Sequence, residues 1–570
     1  MFKSFVYITV LYFVLSHAVV QIQAQHLNQY AYHPQSVKHV FLPKAFGEAS
    51  FKVLNGKGEE VLVSETPKAK AWEFSGTEVT YADVTEVSAD GSYRLLVDGM
   101  KHVIDFKIDN KAYNRLGTDL LKSYYMARAT EPILEKHAGI YARQAGHPDD
   151  KVKIHTSAAG KNRPAESTIS SPGGWYDAGD YGKYIVNSGI TTYTLLHLYE
   201  LFPEHLKTVN TNIPESSDKT ADILNEILVN LRWMLSMQDP NDGGVYHKLT
   251  TKSFCGMIMP HKDTGDRYVV MKTTAATCDF AAVMSKAARI LKHENKGLQS
   301  LAQQCIKAAE RAWEWTLANP NIMYVQPEDI TTGQYDDKNI ADEKFWAATE
   351  LFLATGKKAY KKEINFEEQK FMRPEWRRVN TLGLLSLMAD NTYGSKLNKQ
   401  QAQQRIIKLA NKLYRHYNES AYKISINKFP WGSNGEVMND GMLLINAYVM
   451  RGDDKYLHAA DACISYVLGA NPLNKCFVTG YGTNRVMFLH DRRCDADGIE
   501  APIPGLLSGG PTNTVQNDCG SEIYGTKLPA MSYVDKVCSY STNEVAINWN
   551  SPAIFTVLAL DAIYSNKNNK

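Results

Sequence analysis

The hydrophobic pattern changes period once, at about Lys111, and that change constrains the fold more than any other property of the chain. Before it, from His26 to about Asn110, apolar and β-branched residues come in short runs: KHVFLPK, SFKVLNG, EEVLVSE, TEVTYADV, GSYRLLVDG and HVIDFKI. Turn sequences such as NGKG, SADG and VDG separate them, so the region reads as strands joined by tight turns. About 85 residues of this kind are expected to form a small immunoglobulin-like β-sandwich. It holds no cluster of chemically active side chains and is read as a supporting module.

After Lys111 the period lengthens to about 3.6 residues. Between 221 and 235, Ile223, Leu224, Ile227, Leu228, Leu231 and Leu235 fall on one face, while Asp222, Glu226 and Arg232 fall elsewhere. That is a helix with one core-facing stripe. Similar runs lie near 113–127, 184–200, 274–292, 298–318, 342–355, 375–389, 400–418, 437–450, 454–468 and 551–564, and one more helix is expected near 358–367. A compact bundle would join its helices by short turns; long aromatic loops fit a toroid of paired helices, with function carried on the loops. The longest loop follows Leu468 and runs to Asn550, where Ser551 and Pro552 read as N-cap and first-turn residue of the last helix.

Residues 1–24 carry Lys3, the apolar run FVYITVLYFVL and the small-residue end IQA, which together read as a secretory signal peptide. The expected division is therefore a signal peptide at 1–24, the sandwich at 25–110 and a helical catalytic domain at 111–570. No later stretch is apolar for long enough to span a bilayer, so the mature chain is expected to be exported, to the periplasm or beyond. A net charge of +2 gives no support for nucleic acid or a polyanionic substrate. Eight cysteines lack CxxC spacing, and four crowd between Cys476 and Cys538. A disulfide there cannot be assigned from spacing, and buried thiols are the expectation in a chain large enough to build its core without staples. The oligomeric state is left open, with a monomer expected.

The chemistry concentrates in SPGGWYDAGDYGKYIVNSG, residues 171–189, where Asp177 and Asp180 stand three apart among Trp175, Tyr176, Tyr181 and Tyr184. Glycosidic cleavage needs one carboxylate to activate water or attack and another acid to protonate the leaving oxygen, and sugar faces stack on flat aromatic rings. DAGDYG alone reads equally as a calcium loop or a turn. Two other segments bear on it: FVTGYGTNRVMFLHDRR, with His490 and Arg492, and SYSTNEVAINWNSP, with Tyr540 and Glu544. Singly, Arg492 could pair with Asp491 or Asp495, His490 could be structural, and Glu544 could be an ordinary carboxylate before a helix.

Together, DAGD after GGW, HxR after GYG and NEVAINWN near the C-terminus resemble glycoside hydrolase family 9, which includes many inverting endo-β-1,4-glucanases. The resemblance spans nearly the whole mature chain. It implies an N-terminal immunoglobulin-like β-sandwich followed by an all-α (α/α)6 barrel. It makes Asp180 the general base, Asp177 its partner in holding water, and Glu544 the general acid. His490, Arg492 and Tyr540 would bind the sugar on the non-reducing side of the scissile bond. Glu544 must then be protonated and Asp180 ionised. Trp376 and Trp431 are further candidates for the glucan cleft, and Tyr246 and His247 look like a family cleft loop. Relatives of this architecture often carry zinc ahead of DAGD; here YARQAGHPDD has His147 and no cysteine lies between residues 25 and 254, so zinc is expected to be absent. A structural calcium is expected instead, with Asp497 in DADGIE as a ligand and Asp342 and Glu343 as a second oxygen pair. Catalysis needs no cofactor.

The expected activity is endo-hydrolysis of a β-1,4-glucan: cellulose-type, mixed-linkage or xyloglucan. With no further binding module after the barrel, soluble glucan is preferred. An exo-acting cello- or chito-oligosaccharide hydrolase is the alternative. A polysaccharide lyase would want a basic cleft, and a glycan-binding protein would not need both acid and base.

Overall fold

The computed structural model describes residues 25–397 and 399–568; the expected signal peptide at 1–24 lies outside them. It is an immunoglobulin-like sandwich followed by an all-α (α/α)6 barrel. Seven strands form the sandwich: β1 (His39–Pro43), β2 (Ser50–Leu54), β3 (Glu60–Glu65), β4 (Lys70–Trp72), β5 (Thr77–Asp83), β6 (Gly91–Val97) and β7 (Ile104–Ile108). One sheet runs β1-β5-β4 and the other β3-β2-β6-β7, with antiparallel neighbours throughout. Alternation sends Phe51, Val53, Tyr93, Leu95, Val97 and Phe106 into the space between the sheets. The six sequence runs all form strands. The seventh, β4, is too short to show alternation.

Eleven helices of ten or more residues follow among the described residues, and burial sorts them into two rings. Ile185–Leu201, Thr274–Leu291, Ala341–Thr355, Asn380–Ala389, Ser433–Arg451 and Ile547–Asn568 are buried almost all round. Ala112–Ala127, Asp222–Ser236, Lys296–Ala318, Lys399–Glu419 and Asp454–Val467 alternate with them in sequence. Most of these show water one polar face, as helices on the outside of a core do. The missing outer member, between Thr355 and Asn380, is the single turn Lys358–Lys361, much shorter than its expected span. Six outer–inner hairpins result, so the inner helices run parallel and their N-termini open at one mouth.

One boundary and one facing differ from expectation. The last helix begins at Ile547, a turn before Ser551, and Pro552 lies inside it. The turn forms early because the Ile547 amide donates to the Asp177 carbonyl at 2.9 Å, a tertiary anchor with no local signal. Glu226, off the apolar stripe of its helix, is wholly buried, because Arg128 reaches it at 2.6 Å.

Candidate active site

The segments that carry the site residues lead into the N-termini of inner helices. Asp177 and Asp180 precede Ile185–Leu201, Tyr335 precedes Ala341–Thr355, and Trp376 precedes Asn380–Ala389. Trp431 precedes Ser433–Arg451, while His490, Arg492, Tyr540 and Glu544 precede Ile547–Asn568. Parallel inner helices therefore bring loops distant in sequence to one place.

DAGD is held against the HDR segment by its glycine. A Cβ on Gly179 would lie 2.1 Å from the His490 carbonyl oxygen, so no larger residue permits this approach. His490 in turn lies beside Glu544: their backbones form a parallel bridge, and the His490 amide donates to the Asn543 carbonyl at 2.9 Å. The two acids and Glu544 thus share one site.

Their surroundings differ. Asp177 is buried, with Oδ1 accepting from Asn187 Nδ2 and Oδ2 from the Tyr335 hydroxyl, each at 2.6 Å. Burial, then the charge of Asp180, pushes its carboxyl up to about 8 against the pull of those donors. Asp180 accepts from the Gly182 amide at 2.9 Å and from the Tyr184 hydroxyl at 3.3 Å. Both donors fall on Oδ2, leaving Oδ1 for water. Burial, followed by the charges of Asp180 and Asp177, holds Glu544 well above the usual carboxylate range, with Arg492 and the Gly179 amide opposing. One carboxylate with donors beside a carboxyl raised into the protonated state is the arrangement acid–base hydrolysis requires.

His490 donates from Nδ1 to the Val537 carbonyl at 2.6 Å, which leaves Nε2 as an acceptor. Its ring meets Tyr540 edge-on at 5.9 Å, and Tyr540 lies against Trp431 at 5.5 Å. Trp431 and Tyr540 are 43% and 36% exposed, so these rings can receive a sugar face. Trp376 is half-buried and meets Tyr335 edge-on at 5.0 Å. Arg492 is turned inward: Nη1 donates to the Gly179 carbonyl at 2.7 Å, while Nε and Nη2 donate to the Cys255 carbonyl at 3.1 and 3.0 Å. It pairs with neither Asp491 nor Asp495; Asp491 is taken by Arg493.

The rings around DAGD itself are a correction. Trp175, Tyr176, Tyr181 and Tyr184 are all buried, packing the back of the loop. Tyr246 and His247 are buried too; His247 stacks on Tyr324 at 4.1 Å and reaches the Gln334 carbonyl at 3.0 Å, supporting the segment that carries Tyr335. Asn187 and Tyr335 are the site residues that sequence reasoning missed. Asn187 sits in the first turn of Ile185–Leu201, the helix that follows DAGD, whereas Tyr335 has no motif around it. Cysteines 519 and 538 form a disulfide ahead of Tyr540; the other six are free thiols.

Among the described residues no group of three or more His, Cys, Asp and Glu side chains is arranged to hold a metal ion. Asp497 spends Oδ1 on the Ile499 amide at 2.8 Å. Burial pushes Asp279, Asp342 and Glu343 up; the charge of Asp337 adds to all three, that of Asp342 to Asp279 and Glu343, and that of Asp279 to Glu343. Both carboxyl oxygens of Asp279 and of Glu343 lack a hydrogen-bond partner.

A helical toroid with carboxylates and exposed rings at its mouth defines a glycoside hydrolase. The family model for glycosyl hydrolase family 9 matches residues 113–557, and that for the cellulase N-terminal ig-like domain matches 23–102. The chain belongs to glycosyl hydrolase family 9, whose hydrolysis needs no cofactor. It is 38% identical to the xyloglucan-specific endo-beta-1,4-glucanase of Bacteroides ovatus, over 96% of this chain and 95% of that protein. Endoglucanase D of Acetivibrio thermocellus is 32% identical over 84% of this chain and 74% of its own length. Among solved structures, the Bacteroides ovatus family 9 protein superposes with a TM-score of 0.87 at 37% identity, covering 95% of this chain and 99% of that one.

Proposed function

We propose that this chain cuts internal β-1,4-glucosidic bonds of a soluble glucan by inversion, with a xyloglucan backbone as the first substrate to test. The observation that carries the reading is the meeting of Asp180, held by donors, with Glu544, raised by burial, across the Gly179–His490 contact. Water lodged by Asp177 and Asp180 attacks the anomeric carbon, and Asp180 takes its proton. Glu544 gives a proton to the departing glycosidic oxygen, so the bond breaks to two neutral sugars and the new hydroxyl is α. His490, Tyr540 and Trp431 bind the sugar on the non-reducing side; Trp376 extends the cleft past Tyr335. Arg492 serves this site through the carbonyls of Gly179 and Cys255.

The sandwich at 25–110 supports a catalytic domain at 111–570, and the leader at 1–24 directs export. The likeness to a xyloglucan-specific relative supports the choice of substrate. Asp180→Asn and Glu544→Gln should each lower reducing-end release by about 10²- to 10⁴-fold. Turnover near wild type in either overturns the assignment, and a β-anomer in early product, read by proton NMR, overturns inversion. A product profile across xyloglucan, mixed-linkage glucan, cellulose and cello- and chito-oligosaccharides separates endo from exo action.

A structural calcium belongs to the same reading. Asp497 is its first candidate ligand, with Asp342 and Glu343 as a second oxygen pair, and the oxygens of Glu343 make no hydrogen bond. A chelator should lower Tm and added calcium restore it; an unchanged Tm removes the site.

A further inference from the structure

Behind the catalytic loop lies a buried group of charges that the reaction itself does not use. Its backbone is strained: His147 and Asp149 both have φ of 48°, the left-handed region that residues other than glycine seldom adopt. The Asp149 side chain is fully buried between two cations, Lys183 Nζ at 2.7 Å and Arg267 Nε at 3.1 Å. Lys183 Nζ also donates to the carbonyls of Gly173 at 2.8 Å and Ser171 at 3.2 Å. Arg267 Nη1 donates to the Tyr181 carbonyl at 2.8 Å, and the Asp149 carbonyl accepts the Ser171 amide at 2.7 Å.

His147 completes the group. Its Nδ1 accepts from the Tyr176 hydroxyl at 2.8 Å, its Nε2 donates to Asp263 at 3.1 Å, and its ring packs on Tyr181 at 5.2 Å. Tyr176 immediately precedes Asp177, and Tyr181 immediately follows Asp180. The network therefore grips the loop on both sides of the two acids, at Ser171, Gly173, Tyr176, Tyr181 and Lys183.

We propose that His147, Asp149, Lys183 and Arg267 are positioning residues, which fix Asp177 and Asp180 through the backbone of 171–183. This rests on the reading of Asp180 as base. A buried ion group adds little stability over apolar packing of the same volume, so its distinguishing effect is on where the loop stands. Misplacing a reacting group by about 1 Å costs about 10²-fold in rate.

The test compares kcat, KM and Tm for wild type, Tyr176→Phe, Asp149→Asn and Asp180→Asn on soluble xyloglucan, or on the substrate the product profile selects. Tyr176→Phe removes only the hydroxyl bonded to His147, and should fold with Tm within a few degrees of wild type. Its kcat should fall about three- to tenfold with KM within twofold. Asp149→Asn should lose about 10- to 100-fold in kcat, again with KM held; should it fail to fold, Tyr176→Phe decides. A purely structural role would lower Tm and leave kcat of the folded protein unchanged, and wild-type kcat in folded Tyr176→Phe overturns the proposal. In that case Asp180→Asn remains inactive. Full activity in Asp180→Asn would instead overturn the base assignment, and this proposal with it.

Discussion

Glu544 shows how much the environment adds to a residue's identity. Burial, then the charges of Asp180 and Asp177, raises its carboxyl well above the usual range, and a general acid works only while protonated. Activity is therefore present below that raised value and lost as pH rises through it. On a glucan, kcat should show an alkaline limb. Glu544→Gln, assayed on an aryl glycoside whose leaving group needs no proton, should lack it; a limb that persists belongs to another group. The same burial has a cost at Asp177. Its contribution to stability is full below the unfolded value near 3.8 and is lost as pH rises through about 8. The letters DAGD and NEVAINWN were enough to single out these acids for test. They could not tell which side of the loop faces sugar, so Trp175, Tyr176, Tyr181 and Tyr184 read as stacking rings although their packing turns them inward.

At the scale of the elements, the inner helices decide what meets. Trp431 and Tyr540 stand 109 residues apart in the numbering of the chain, yet precede inner helices whose N-termini share a mouth, and their rings lie 5.5 Å apart. A stacking platform binds substrate in ground state and transition state alike, so Trp431→Ala should raise KM about fivefold, roughly 1 kcal/mol, with kcat little changed. Equal KM for xyloglucan in the variant would remove Trp431 from the cleft. The eleven long helices were legible because their apolar residues repeat every turn. The outer turn Lys358–Lys361 and strand β4 were not measurable that way, each being about as short as one repeat. Pro552 misled for a related reason: a capping signal is local, while the bond from Ile547 to Asp177 that starts the helix earlier is not.

For the molecule as a whole, one sheet of the sandwich, β1-β5-β4, packs into the barrel's core while the space between the sheets keeps a core of its own. Ala31, Phe41, Trp72 and Val79 belong to the same apolar cluster as the helices, with Trp72 5.0 Å from Tyr422 and 5.9 Å from Phe429. The Val37 amide and the hydroxyls of Tyr113 and Tyr564 converge on buried Asp461 across the same seam. Trp72→Ala should therefore cost about 3–5 kcal/mol and lower Tm of the helical part together with the sandwich; two separate calorimetric transitions, with only the first shifted, would contradict that coupling. The sequence by itself determined the order of sandwich and helices and the family to which the chain belongs, because period and motif are local properties. Only the tertiary structure decided which rings face the cleft, that Tyr335 and Asn187 hold Asp177, that Arg492 turns inward, and which cysteines join. Those depend on contacts between loops far apart in the chain, fixed by how six hairpins close into a ring.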